Sequence, residues 1–165
     1  YIEQLDDELL RISKESFDAL SFNCYALSPD HEKMNHALEI SGLPMIIGEY
    51  HFGTVDRGLA QSLWQVNSQK ERGDAFQYYT ENAFAHRGLI GTGWFRWIDQ
   101  NINGRTDGEN YNCGFIDVTD RPYPYMVDAA IEAAKSLYEI HSGTKTPFHQ
   151  APNAVGHSPI PDLWE

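Results

Sequence analysis

Residues 43–51 read Leu-Pro-Met-Ile-Ile-Gly-Glu-Tyr-His. The first five form a near-continuous apolar run without alternation, the pattern of a parallel strand covered on both faces. Polar chemistry follows at once, in Gly48, Glu49, Tyr50 and His51. Barrel enzymes built from parallel strands and helices place their catalytic groups at the C-terminal strand ends. A carboxylate there is not an ordinary surface charge, so Glu49 is the candidate catalytic carboxylate. The competing reading is a buried, paired carboxylate that serves structure. Gly48 before it lets backbone or substrate approach closely.

Toward the N-terminus, Ile2, Leu5, Leu9 and Ile12 recur at helical spacing and predict an inward-facing stripe on a helix over 2–14. Residues 19–22 read as a strand ending at Asn23 or Tyr25. Ser28-Pro29 predicts a helix start, with Ser at the N-cap and Pro at the first helical position. Met34, Ala37 and Leu38 give that helix a buried face, and Gly42 closes it.

Toward the C-terminus, residues 53–67 read as loop with room for a short helix. Ser68-x-x-Glu71 is a capping box, and its helix carries Ala75, Tyr79 and Ala83 on one stripe and ends near Gly88. Residues 89–98 read as another strand, finishing in Trp94, Arg96, Trp97 and Asp99. A Gly- and Asn-rich loop over 100–114 and a short extended piece over 115–118 follow. Pro124 then starts a helix with Val127, Ala130, Ile131, Ala134 and Leu137 facing inward, closed by Gly143. The tail over 144–165 carries Pro147, Pro152, Pro159 and Pro161 and reads as extended, either lying against the barrel or disordered.

Strands and helices alternate, which implies a parallel sheet with crossover helices. Three strands do not close a barrel. The fold class is therefore α/β, with residues 1–143 as the C-terminal portion, about strands six to eight, of a (β/α)8 TIM barrel, and 144–165 as a tail. The chain opens at Tyr1 in what reads as mid-helix, which a cut fragment explains more simply than a protein that begins there. Such a fragment is expected to fold poorly, because it leaves an open strand edge.

Composition narrows the partners. The net charge of −12 argues against a nucleic-acid backbone as partner, since that needs a cationic footprint. No apolar stretch approaches the roughly 20 residues of a membrane span. Aromatic residues make up 13% of the chain, which suits a sugar cleft where pyranose faces stack on rings. Cys24 and Cys113, the only cysteines, read as free thiols, and Cys24 as packing. No CxxC or HExxH spacing suggests a metal site, and no cofactor is expected.

The strand ends supply the other candidates. The first gives Ser21, Asn23 and Tyr25; Asn23, Tyr25 and His51 either touch substrate or donate from behind. Hydrolysis of a glycosidic bond normally takes two carboxyl groups, in a retaining enzyme one nucleophile and one acid/base. His51, Tyr25 or Arg96 is expected to hold the nucleophile ionised. Trp94 is the expected stacking platform, while Trp97 fits the core equally well. His31, His36, His86, His141, His149 and His157 are expected at the surface or as caps.

Three segments together resemble a known family. Residues 44–53, with Asp56-Arg57-Gly58 after them, look like the seventh strand of the β-agarases of glycoside hydrolase family 50. Residues 91–100, Gly-Thr-Gly-Trp-Phe-Arg-Trp-Ile-Asp-Gln, are similar as well, and residues 104–123 are the most specific of the three. The resemblance covers about residues 15–140. It implies a clan A barrel in which the nucleophile follows strand seven and the acid/base follows strand four. Glu49 then falls on the nucleophile position, and the acid/base lies outside this chain, so the chain alone is expected to be inactive. The loop with Arg105, Glu109, Asn110 and Asn112 is expected to border the substrate subsites. The family's members cleave β-1,4 links of agarose or its oligosaccharides with retention, typically from a chain end to give neoagarobiose, and are commonly exported. A polysaccharide or oligosaccharide partner and an extracellular or periplasmic location are the corresponding expectations. Two alternatives remain: a clan A β-galactosidase acting on another galactoside, and a catalytically dead barrel that only binds polysaccharide.

Overall fold

The computed structural model describes residues 1–156; the prolines at 159 and 161 and His157 lie outside them. Its strands are β1 (Leu20–Asn23), β2 (Met45–Tyr50), β3 (Trp64–Gln65), β4 (Leu89–Trp94) and β5 (Val155–Gly156). Its helices are α1 (Asp7–Ser16), α2 (His31–Ser41), α3 (Gln69–Phe84) and α4 (Pro124–His141), preceded by a 3-10 turn over Ile2–Gln4. The apolar run of the second strand does what its composition requires. It becomes the centre of a parallel sheet ordered β1-β2-β4, with Met45, Ile47 and Leu89 fully buried. Each such side chain contributes about 1.5–3 kcal/mol by leaving water.

The register between β1 and β2 breaks where the chemistry begins. Leu20, Ser21 and Phe22 pair with Met45, Ile46 and Ile47, but Asn23 pairs with Glu49, so Gly48 is an extra residue in β2. Without that insertion, alternation would send Glu49 to the same buried face as Met45 and Ile47. The bulge reverses the parity. Tyr50 takes the buried face, at 1% exposure, and Glu49 turns to the side of Asn23. Glycine suits the inserted position because a Cβ there would meet Ser21 Oγ at 3.0 Å and Asn23 Oδ1 at 3.1 Å.

Several boundaries differ from the sequence expectation. The second helix begins at His31, not after Ser28, because the Asp30 carboxylate accepts from the N–H groups of Glu32 and Lys33. An ionised cap is favoured at a helix N-terminus, and these backbone bonds hold the Asp30 pKa below its ordinary value. Asp6 caps α1 through Leu9 N, which turns Leu10 and Ser13 inward and leaves Leu9 and Ile12 exposed, against the expected stripe. On α4 the buried face is Met126, Ala129, Ala133, Ser136 and Ile140, with Ile131 and Ala134 exposed. Both stripes fit the helical period. The observed one sets small residues against α3, where Gly73 lies so close to α4 that a Cβ would stand 2.5 Å from Tyr125 O.

Ser68 caps α3 as expected, but Glu71 reaches the backbone N–H of Asn67, one residue before the cap. The strand expected over 89–98 stops at Trp94, and the Phe95-Arg96 peptide is cis. The segment over 53–67 contains β3 and no helix. Gly42 and Gly143 close their helices with positive φ, the conformation glycine adopts at low cost. His86 is buried, its Nδ1 accepting from Gly88 N and its Nε2 meeting Asn35 Oδ1 at 3.2 Å, and so is not a surface residue.

Candidate active site

The ends of β1 and β2 converge on one carboxylate. Glu49 Oε2 accepts from Asn23 Nδ2 and from the Tyr25 hydroxyl, each at 2.8 Å. Asn23 gets there because the bulge pairs it with Glu49; Tyr25 follows two residues later, past the strand end. Burial, then the hydrogen bond and charge of Glu49, push the Tyr25 pKa far above its ordinary value, so the phenol keeps its proton and donates. Of the three donors expected around Glu49, Tyr25 makes the bond; the second donor is Asn23.

His51 stands beside this pair without touching the carboxylate. Its ring meets the Tyr25 ring edge-on, with centroids 4.9 Å apart. Its Nε2 accepts from Leu63 N at 3.2 Å, so Nδ1 carries the proton and donates to Phe95 O at 3.1 Å. Burial drives its pKa down to about 3, and the imidazole is neutral. Both ring nitrogens are therefore committed to backbone.

The loop after β4 forms a second wall. Tyr111 packs edge-on against His51 with centroids 5.9 Å apart. Glu109 accepts from Gln100 Nε2 at 2.7 Å and pairs with Arg105 at 3.4 Å; Arg105 also bridges to Asp107 and lies over the Phe95 ring. Asn110 accepts from Ala60 N. The Tyr1 phenol pKa is raised by burial and then by Glu49 and Glu109, which puts both carboxylates in the electrostatic reach of one side chain.

Other candidates lie deeper or elsewhere. Asn112 has 0% exposure, and its amide is saturated: Nδ2 donates to Asp99 and Tyr123, and Oδ1 accepts from Thr54 and Gln69. Arg72, equally buried, donates to the Asn112 carbonyl and stacks on Tyr123. Trp94 packs among Tyr50, Phe76 and Phe115 and donates to Cys113 O at 2.7 Å, while Trp97 is 69% exposed and stacks on Phe115. Cys24 and Cys113 are free and buried, and burial first, then Asp99, pushes the Cys113 thiol up to about 12. Among the described residues no group of three or more His, Cys, Asp or Glu could hold a metal ion, and no helix is long and apolar enough to cross a membrane.

The sequence reading missed Trp64, which comes from the segment read as loop with room for a short helix. Its indole N–H donates to Tyr25 O at 2.9 Å. An isolated Trp in a loop carries no periodicity, and the bond it makes spans 39 residues.

The chain is similar to several known proteins. β-Agarase A of Vibrio sp. strain JT0107 is 39% identical over 128 residues, 73% of this chain, and β-agarase B of the same strain is 37% identical. A solved exo-β-agarase superposes with a TM-score of 0.76 at 36% identity over 81% of the chain. The chain belongs to the β-agarases of glycoside hydrolase family 50. A second agarase structure, AgWH50C, agrees at a TM-score of 0.78 and 37% identity over 83% of the chain. No family model matches. The chain spans 13% of the length of the two Vibrio β-agarases and 18% and 21% of the two solved agarases. A Faecalibacterium prausnitzii β-glucuronidase, 19% identical with a TM-score of 0.53, shares the fold alone.

Proposed function

We propose that this chain supplies the nucleophile wall of a retaining glycoside hydrolase that cleaves β-1,4-galactosidic links of agarose or its oligosaccharides. The single observation that carries the reading is the Glu49 carboxylate at the end of the central strand, with two neutral donors on one oxygen. In this reading the parallel strands β1, β2 and β4 are strands six to eight of a (β/α)8 barrel, and family membership supports that assignment.

The chemistry follows from the hydrogen bonds. Asn23 and Tyr25 fix Oε2, which orients Oε1 as the attacking atom. Oε1 adds to the anomeric carbon as the glycosidic bond breaks, giving a glycosyl-enzyme ester that water then hydrolyses. Neutral donors hold the carboxylate in place without cancelling its charge by a full ion pair. The leaving oxygen takes its proton from a second carboxyl group outside this chain. Tyr111 and the Arg105–Glu109 pair line the approach and contact the sugar. Export to the cell surface or periplasm fits a polymeric substrate.

The test uses the intact protein with agarose oligosaccharides and mass identification of products. Wild type releases neoagaro-oligosaccharides, and Glu49→Gln loses about three to five orders of magnitude in kcat while still binding. Wild-type cleavage of small galactosides but not agarose would move the substrate, and binding without cleavage would leave a polysaccharide-binding barrel.

A further inference from the structure

Beyond the catalytic carboxylate, the segment after Thr144 packs on α3 and then pairs with β3. Two neighbouring side chains of α3 take both backbone groups of Phe148: Glu81 Oε2 accepts from its N–H at 2.7 Å, and Asn82 Nδ2 donates to its carbonyl at 3.1 Å. Glu81 is buried, so this anchor is no casual surface contact. The chain then runs to β5, which pairs antiparallel with β3, Gly156 opposite Trp64.

Trp64, half-buried, is tied down by backbone, side-chain and ring contacts. Its carbonyl accepts from Gly53 N at 2.9 Å and from Ser62 Oγ at 2.6 Å, and Gly53 lies two residues past His51. Its ring is covered by Gly156 so closely that a Cβ there would stand 3.1 Å from Cζ2 and 3.3 Å from Cε2. Its indole N–H ends on the carbonyl of Tyr25, whose neighbour Cys24 has its own carbonyl bound by the Tyr79 hydroxyl at 2.6 Å. Two side-chain donors thus fix consecutive carbonyls of the backbone that carries the Tyr25 hydroxyl to Glu49.

We propose that Trp64 is a positioning residue for Tyr25, and that residues 148–156 form a strap that presses Trp64 into that role. The proposal rests on Glu49 being the catalytic carboxylate. A phenol reaching 2.8 Å from beyond its strand needs its main chain fixed, because a displacement of about 1 Å at a reacting group can cost on the order of a hundredfold in rate. Trp64→Phe removes the N–H and keeps a smaller aromatic ring. Gly156→Val keeps the N–H and forces strap and ring apart.

The test compares both variants with wild type in the intact protein, by kinetics on agaro-oligosaccharides and by crystal structures of the unliganded variants. Trp64→Phe is expected to lower kcat about ten- to hundredfold with KM within about twofold, and Gly156→Val to show the same split to a smaller degree. In the variant structures the Tyr25 hydroxyl leaves hydrogen-bond distance of Glu49 Oε2. A Trp64→Phe enzyme with wild-type kcat, or one whose Tyr25–Glu49 bond is unchanged in the crystal, overturns the proposal. If Trp64→Phe does not fold, Gly156→Val decides by the same two readouts. The crystallographic distance needs no substrate, so a wild type that fails to cleave agarose sinks the functional assignment while that distance still decides the positioning claim.

Discussion

Tyr25 donates its hydroxyl hydrogen to Glu49 Oε2 across 2.8 Å, and Asn23 donates to the same oxygen at the same distance. The two donors act differently. Asn23 comes from inside β1, paired in register with Glu49, whereas Tyr25 comes from beyond the strand. Tyr25→Phe therefore removes one hydrogen bond to a charged acceptor and little packing. The expected result is a kcat loss of about ten- to a thousandfold with only a small drop in melting temperature, measured by steady-state kinetics and calorimetry. Equal kcat in the two proteins would show that this bond does not serve the reaction.

His51 predicts how stability depends on pH. Its folded pKa is lowered to about 3 by burial, against an ordinary value of 6.5. Below pH 6.5 the unfolded chain gains a proton that the folded chain refuses. Stability from this group is thus complete above about pH 6.5 and is lost progressively as pH falls toward 3. The total is a few kcal/mol, since a tenfold change in proton affinity corresponds to about 1.4 kcal/mol. His51→Asn should flatten the melting temperature against pH between these limits. An unchanged slope in the variant would contradict the buried neutral imidazole.

Asn112 was expected at the substrate, and its surroundings predict a different phenotype. Its side chain joins Thr54, Gln69, Asp99 and Tyr123, and Arg72 donates to its carbonyl. Asn112→Ala removes four buried side-chain hydrogen bonds at once and leaves a void among Thr54, Gln69, Asp99 and Tyr123. The expected cost is about 2–4 kcal/mol of unfolding free energy in chemical denaturation, with only a secondary effect on KM. A variant as stable as wild type but with a greatly raised KM would instead make Asn112 a sugar contact.

Arg72 shares that network with incomplete pairing. Its Nε and Nη2 lack partners among the described residues, and burial lowers its pKa despite Asp99 nearby. Arg72→Met fills a similar volume without the charge, and replacing a buried ion by a matched apolar group is often neutral or stabilising. Arg72→Ala leaves a cavity beneath Tyr123 and is expected to cost about 2–5 kcal/mol. The pair of variants, read by denaturant titration, separates packing from charge; a Met variant as unstable as the Ala variant would show that the charge is required.

The main lines were legible in sequence because burial writes them plainly. An apolar run of strand length ending in Gly-Glu predicted a parallel strand with a carboxylate at its mouth, and the strand formed, although only its Met45, Ile47 and Tyr50 face is buried and the face of Ile46 and Glu49 is half-buried. What alternation could not show was the side to which Glu49 turns, since that depends on a one-residue bulge at Gly48 set by crowding from β1. Helix faces slipped for a related reason: Asp6 and Asp30 start α1 and α2 by hydrogen bonds that outcompete the starts suggested by apolar spacing and by Ser28-Pro29. Trp94 and Trp97 have the same chemistry in sequence. Only the turn after β4 separates an indole packed against α3 from one facing solvent. Contacts between distant segments, such as Trp64 to Tyr25 or Asn82 to Phe148, leave no local signal.

The claim at the centre is that Glu49 forms the covalent bond to the sugar. The most direct measurement is azide rescue of Glu49→Ala in the intact protein, with the configuration of the product determined by NMR. Removing the carboxylate opens a space for a small anion on the attacking face. The account predicts that Glu49→Ala alone is slower by at least about a thousandfold, and that azide restores turnover with a glycosyl azide of inverted, α configuration. A Glu49→Ala enzyme near the wild-type rate, or a rescued product of retained β configuration, would contradict it.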